Sequence, residues 1–112
     1  MSQITTHVLD TSIGKPAKGI EIKLFRRDNS DWNEIAQGVT NADGRIIDLL
    51  EKKKISEKGI YKMNFSVGNY FKEKKIRIFY PFIEIVFEID SDEHYHIPLL
   101  LNPFGYSTYR GS

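Results

Sequence analysis

The sequence predicts an all-β fold, a β-sandwich of two sheets with one short helix. The first observation is that apolar and charged residues alternate with a period of two along several short segments. In the clearest segment, residues 83–89, four apolar side chains share one face, and Glu84 and Glu88 lie on the other. This pattern is typical of a half-buried antiparallel strand. The second observation is that turn-forming residues separate about eight such segments.

The other strands follow from the same alternation, bounded by turn signals at residues 14–16, 28–30, 41–44, 91–92 and 102–105. The charged segment 70–76, which precedes Pro81, predicts a brief helix. Pro98 has no N–H for a sheet ladder, so we expect it at an edge, at a bulge, or with its N–H side facing a cleft. The predicted strands, in addition to 83–89, cover residues 4–9, 20–24, 32–39, 45–48, 59–67, 94–101 and 106–110.

Length and composition bound the possible functions. The 112 residues predict a single domain, 1–112. The sequence has no cysteine, which excludes disulfides, thiolate catalysis and cysteine-ligated zinc. A net charge of +1 gives no electrostatic case for nucleic acid, and the run at 51–54 (Glu-Lys-Lys-Lys) predicts a solvated loop or helical turn. No segment is apolar enough to cross a bilayer and residues 1–4 do not resemble a secretory signal, so we expect a soluble, cytoplasmic protein without membrane partners.

The groups that could perform chemistry lie on distant segments. His94 and His96 are two residues apart on one strand and therefore share a face. His7 lies on the first strand, on the side of Thr5, and Arg45 follows the turn at 41–44. Taken singly, each of these residues is more often structural than functional. Three further candidates close the chain: Tyr109, Arg110 and Ser112, which carries the α-carboxylate.

Three kinds of site are compatible with these groups. His7, His94 and His96 could form a three-histidine zinc site with a fourth position for water, although no carboxylate is marked out as a supporting partner. A serine–histidine–aspartate triad built on Ser112 lacks a scaffold for the nucleophile and its oxyanion hole. In metal-free acid–base chemistry, a histidine takes a proton from water and an arginine holds the developing negative charge. This third site needs only groups that the sequence contains.

Motifs that occur together in one family lie at residues 4–10 (ITTHVLD), 14–17 (GKPA), 40–45 (TNADGR), 59–61 (GIY), 79–81 (FYP), 94–101 (HYHIPLLL) and 109–112 (YRGS). Together they resemble the 5-hydroxyisourate hydrolase family, the transthyretin-related enzymes of urate breakdown. The resemblance extends in order over the whole chain, and the ending Tyr-Arg-Gly-Ser is its most specific part. The one departure is Asn102, where the family usually has serine, and we expect only a small change in turn geometry there.

The resemblance implies a transthyretin-like (prealbumin-like) sandwich of eight strands in two sheets with one short helix. It also implies a homotetramer with active sites in the channels where dimers meet. The reaction would open 5-hydroxyisourate at its N1–C6 amide bond and give 2-oxo-4-hydroxy-4-carboxy-5-ureidoimidazoline, without cofactor or metal. By resemblance, the catalytic residues are His7, Arg45, His96 and Ser112, and the substrate-binding residues are His7, Arg45, Tyr109 and Arg110.

The resemblance leaves the roles within this set open. Either His7 or His96 would activate the water, and the other would orient it or protonate the leaving nitrogen. If the last strand stays regular, Tyr109 points opposite to Arg110 and Ser112, so either the chain leaves the ladder near Tyr109 or one of these groups is structural. The alternative function is a transthyretin-like small-molecule carrier without catalysis.

Overall fold

The computed structural model describes residues 2–51 and 56–112, and in them two four-stranded sheets pack face to face. One sheet has the strand order β2-β1-β7-β8 and the other β4-β3-β5-β6. This confirms the predicted sandwich. The elements are β1 (Ile4–Asp10), β2 (Lys15–Pro16), β3 (Glu21–Asp28), β4 (Asp31–Val39), β5 (Gly59–Phe65), α1 (Val67–Glu73), β6 (Ile83–Ile89), β7 (Tyr95–Asn102) and β8 (Gly105–Thr108).

Period-two alternation determines which side chains form the core. Along β1, buried and half-buried residues alternate without exception, and β5 repeats the pattern. Fully burying one large aliphatic or aromatic side chain contributes about 1.5–3 kcal/mol, so the two inner faces supply most of the driving force for folding. The largest fully buried side chains are Tyr61, Phe65, Phe71, Ile4, Ile20, Ile22, Leu24, Met63, Ile83, Ile89, Leu99 and Leu101.

The pairing of β1 with β7 is the feature of the fold that positions the candidate site. These two strands run parallel at the centre of their sheet, with Thr5 opposite His96 and His7 opposite Pro98. Side chains on paired positions of neighbouring strands project from the same face of a sheet. Segments about ninety residues apart in sequence therefore present their histidines on one surface.

Some predicted boundaries were wrong. Residues 45–48 form no strand: Arg45 makes an isolated bridge to His7, and Ile47 and Asp48 lie in a turn. The helix begins at Val67 rather than at residue 70, because Val67, Tyr70 and Phe71 form its buried face. The two-residue strand β2 was not predicted, since it is too short to show alternation. Lys52, Lys53 and Lys54 of the predicted solvated run lie outside the described residues.

Among the described residues, no helix has the length and apolar character that crossing a membrane requires.

Candidate active site

Arg45 reaches the site because a tight turn returns the chain to β1. The side-chain oxygen of Asn41 accepts hydrogen bonds from the N–H groups of Asp43 (2.9 Å) and Arg45 (3.1 Å). Gly44 has a positive φ of 74°, and its carbonyl accepts a hydrogen bond from Val8 at 2.8 Å. A Cβ on Gly44 would lie only 2.3 Å from the Val8 carbonyl oxygen, so this approach requires glycine. The turn thereby fixes Arg45 beside β1.

The side chains of Arg45 and His7 make direct contact. A guanidinium nitrogen, Nη2 of Arg45, lies 3.3 Å from Nδ1 of His7. Arginine can only donate hydrogen bonds, so Nδ1 of His7 is the acceptor, and the proton of the neutral ring resides on Nε2. The contact therefore selects one tautomer of His7.

Pro98 interrupts the pairing of the last strand. Leu99 pairs with Thr108, where β8 ends, and the next peptide group that faces β8 belongs to Pro98. Proline has no N–H to donate, so the ladder cannot continue there. Pairing resumes two residues nearer the start of β7, where the N–H of Gly111 donates to the His96 carbonyl at 2.9 Å. The backbone nitrogen of Pro98 thus faces the interruption in the β7–β8 pairing, where a ladder hydrogen bond would otherwise form.

Tyr109 and Arg110, which lie in the interrupted segment, project from opposite faces of the sheet. The register before and after the gap is the same, so Tyr109 remains on the face of His96 and Arg110 on the opposite face. The Arg110 guanidinium lies over the ring of Tyr95, 4.4 Å from its centroid, and 3.7 Å from a carboxylate oxygen of Glu93. Arg110 thus points away from the face of His96, which corresponds to the second of the two expected outcomes, a structural role for one of these groups.

A cavity of about 700 Å³ joins most of the predicted site residues. His7, Arg45 and His96 line it together with Tyr109 and Ser112, whereas Arg110 does not. Its remaining walls include polar and apolar groups from the segment after β4, from β1 and from the residues before β1: Asn41, Asp43, Ile46, Ile47, Asp48, Thr5 and Ser2, with His94 and Gly111 from the C-terminal part of the chain.

The surroundings of the two central histidines favour their neutral forms. Partial burial, followed by the charge of Arg45, lowers the pKa of His7 below its usual value. Burial is also the largest cause that lowers the pKa of His96, followed by the charges of Arg45, His94 and His7. A neutral imidazole can accept a proton at neutral pH, so the cavity contains a competent base next to a fixed positive charge.

A three-histidine zinc site is not assembled in the part of the chain that the structure describes. No three histidine, cysteine, aspartate or glutamate side chains in residues 2–51 and 56–112 converge as metal ligands. His94 and His96 instead stack, with ring centroids 6.1 Å apart, and both bond to the hydroxyl of Thr5. The arrangement supports proton transfer and anion binding by side chains.

Comparison with known proteins assigns the chain to a family. The model of the HIUase/Transthyretin family matches residues 4–111. The chain belongs to this family. A 5-hydroxyisourate hydrolase from Salmonella dublin is 44% identical over 110 residues, which cover 97% of this chain and 80% of that protein.

Two solved structures show that the HIUase/Transthyretin fold alone does not decide the function. Sea bream transthyretin, in complex with thyroxine, superposes with a TM-score of 0.92 at 29% identity, over 98% of this chain and 95% of that chain. A 5-hydroxyisourate hydrolase from Klebsiella pneumoniae gives a TM-score of 0.86 at 35% identity, over 97% and 98% of the two chains. Function must therefore be argued from the side chains in the cavity.

Thr5 contacts two histidines at the cavity, although the sequence analysis did not propose it as a site residue. Its hydroxyl lies 2.7 Å from Nδ1 of His96 and 2.7 Å from Nε2 of His94. The available signal was positional: Thr5 precedes His7 by two residues and so shares its face of β1. A threonine at such a position is too common in strands of this family's fold to mark a site by itself.

Proposed function

We propose that the protein hydrolyses 5-hydroxyisourate at the N1–C6 amide bond and releases 2-oxo-4-hydroxy-4-carboxy-5-ureidoimidazoline. The observation that carries this proposal is the cavity in which His7, Arg45 and His96 meet the C-terminal segment. The curated relatives that are 42–44% identical to the chain are named as hydrolases of this substrate or probable ones, which supports the same activity here.

His96 is the general base in this mechanism. Because Arg45 occupies the lone pair on Nδ1 of His7, the Nε2 atom of His7 is an N–H donor and cannot accept a proton. The pKa of His96 is lowered. Thr5 bonds Nδ1 of His96, and no described residue forms a hydrogen bond with the other ring nitrogen, Nε2. It can therefore take a proton from water, while the N–H of His7 orients the water or the substrate.

The remaining groups stabilise charge and hold the substrate. Water forms a bond to C6 and gives its proton to His96, and Arg45 holds the carbonyl oxygen as negative charge develops there. The C6–N1 bond then breaks, N1 leaves with the proton that His96 took from water, and C6 becomes a carboxyl group that releases its own proton to solvent as a carboxylate. Tyr109, with 60% of its surface exposed at the cavity, contacts the substrate ring, and the carboxylate of Ser112 fixes the charge state of the site.

Arg110 has an indirect role in this proposal. Its contacts with Tyr95 and Glu93 hold the segment between Thr108 and Gly111 against the sheet. A cation over an aromatic ring contributes about 0.5–1 kcal/mol at an exposed position, enough to bias a short segment toward one conformation. The predicted direct contact of Arg110 with substrate would require a different side-chain orientation.

We also propose that the protein assembles as a homotetramer. The edge strands β6 and β8 have no partner on one side within the described chain, and both border a second cavity of about 320 Å³, so the two free edges lie close together. Unpaired edges are available for pairing with another subunit. Phe79 and Phe104, with 69% and 63% of their surfaces exposed, add apolar area of the kind that interfaces bury.

Three further proposals accompany the activity. Residues 1–112 act as a single transthyretin-like domain, which the shared core from Ile4 to Leu101 supports. The protein works without cofactor, metal or nucleic acid, and its location is cytoplasmic.

Light scattering tests the proposed homotetramer. We expect a mass of about four times the 13.0 kDa of one chain, and the mass of a monomer would contradict the proposed tetramer.

The activity is tested by the optical decay of freshly generated 5-hydroxyisourate. This compound decays spontaneously, so the rate in excess of the spontaneous decay is measured with the wild-type protein and with His7→Ala, Arg45→Gln and His96→Ala. We expect a clear excess rate for the wild type and a loss of about 10²–10⁴-fold for His96→Ala. No excess rate, together with stoichiometric binding of thyroxine, would instead establish the carrier function. Near-wild-type rates in all three variants would exclude this site.

A further inference from the structure

The hydroxyl of Thr5 connects the two histidines of β7. Oγ1 of Thr5 lies 2.7 Å from Nδ1 of His96 and also 2.7 Å from Nε2 of His94, which is just ahead of the strand. Thr5 holds this position because it pairs directly with His96 across the β1–β7 ladder. The two imidazole rings stack with an interplanar angle of 25°. A single oxygen atom therefore bridges both rings.

A hydroxyl in this position couples the protonation states of its neighbours. It has one hydrogen to donate and two lone pairs to accept with. When it donates to His94, it can only accept from His96, so Nδ1 of His96 must be protonated. When it donates to His96, Nδ1 of His96 is unprotonated and the proton of the neutral ring is on Nε2. The direction of one O–H bond thus decides which nitrogen of His96 has a free lone pair.

We propose that Thr5 is a positioning residue that donates to Nε2 of His94 and accepts from Nδ1–H of His96, so that Nε2 of His96 is the free base. This inference rests on the proposed function of His96 as the general base. His94 accepts the hydrogen bond from Thr5 at Nε2, and because His94 is exposed to solvent, its Nδ1–H can donate to water. When Nε2 of His96 takes a proton, the bond from Nδ1–H to Thr5 is kept, and no group has to rotate.

The charges around His96 do not determine which of its two ring nitrogens carries the proton. Besides burial, which is the largest cause, Arg45, His94 and His7 all lower the pKa of His96 by charge, and charge acts on the ring of His96 as a whole. A change in total charge affects both nitrogens, whereas a hydrogen bond distinguishes between them. Within the described ranges, Thr5 is the side chain that bonds His96, so the tautomer is determined there.

Histidine ¹⁵N spectra test the tautomer directly, and the chain has only three histidines to assign. Uniformly ¹⁵N-histidine-labelled protein is recorded at a pH where His96 is neutral. We expect a protonated Nδ1 and an unprotonated Nε2 for His96 in the wild type. In Thr5→Val, which keeps the shape of the side chain without the hydroxyl, we expect a mixture of tautomers with a large Nε2–H population. An unchanged His96 spectrum in Thr5→Val would overturn the proposal.

Kinetics provide a second measurement. For Thr5→Val we expect a decrease in kcat of roughly tenfold with little change in KM, well short of the ~10²–10⁴-fold loss of the base itself. Thr5→Ser keeps the hydroxyl and should restore both kcat and the wild-type spectrum. Thr11→Val is the matched control, because the Thr11 hydroxyl bonds the Leu101 carbonyl, away from His96. His94→Phe keeps a stacked ring without nitrogen and should lower kcat in the same direction.

The two measurements separate the possible failures. A wild-type protein without hydrolase activity but with the expected His96 tautomer would refute the proposed function and leave the role of Thr5 intact. An active protein in which Thr5→Val and Thr5→Ser lower kcat equally would refute the role of Thr5 alone.

Discussion

Gly111 is the residue at which a single methyl group should disable the site without unfolding the protein. A Cβ built on Gly111 would lie 2.6 Å from Cδ2 and 3.3 Å from Cγ of His96, and 3.1 Å from Cγ of Pro98. Carbon atoms that are not bonded prefer a separation of about 3.5–4.0 Å, so Gly111→Ala must displace the ring or the terminal segment by about 0.9 Å. A displacement of about 1 Å in a catalytic group can lower the rate by about 10²-fold.

The fold should tolerate this substitution. Gly111 does not have a positive φ, so alanine can adopt its backbone conformation. Replacing glycine by alanine also lowers the conformational entropy of the unfolded chain, an effect of about 0.4–1 kcal/mol that offsets part of the cost of displacing His96. Gly105→Ala is the matched control, since its Cβ would meet only the side chain of Asn102, at an ordinary 3.7 Å.

The assay combines activity with thermal unfolding for both variants. For Gly111→Ala we expect kcat to fall by about ten- to a hundredfold while the melting temperature stays within a few degrees of the wild type. Gly105→Ala should match the wild type in both. Full activity of Gly111→Ala would refute the argument that catalysis requires the present position of the His96 ring against the terminal segment. A large loss of stability in Gly111→Ala would show that the displacement extends into the sheet.

Three other predictions follow from the electrostatics and the core. Burial lowers the pKa values of His7 and His96 below the usual value of about 6.5. We therefore expect kcat/KM to be constant at neutral pH and to fall only below about pH 6.5, where the base becomes protonated. A decline that begins above pH 7 would contradict this expectation. Arg45→Gln removes a cationic charge that lowers both values, so NMR titration should show both histidine pKa values rise, and unchanged values would argue against the contact. Tyr70→Phe removes a buried hydrogen bond of 2.8 Å to the Asp10 carboxylate and should cost about 1–3 kcal/mol in urea unfolding with kcat unchanged; an equal stability of variant and wild type would show that water replaces the hydroxyl.

The sequence was sufficient for the sandwich because its signals are local. Strand β6 was predicted with the bounds that the structure has, since alternation and turn residues both lie within it. Residues 45–48 were wrongly predicted as a strand because Arg45 pairs with only one residue, and that pairing depends on the turn at Asn41 and Gly44. Short apolar runs carry no information about whether a neighbouring strand exists.

The members of the site were predictable, but their contacts were not. His94 and His96 were predicted to share one face of their strand and His7 to lie on the side of Thr5, yet only the parallel register of β1 and β7 places Thr5 against His96. The tautomer of each histidine depends on a single distance to Arg45 or to Thr5. Such distances arise from tertiary structure, and no pattern of residue types encodes them.

The gap in the ladder at Pro98 leaves one wall of the cavity with few backbone contacts to the sheets. Beyond Thr108, the described chain returns to the sheet through one backbone hydrogen bond, from Gly111 to His96. Selection can therefore rewrite the last few residues while the sandwich keeps its thermodynamic stability. A protein built in this way can change one wall of its cavity by substitutions between Tyr109 and Ser112 that leave both sheets intact.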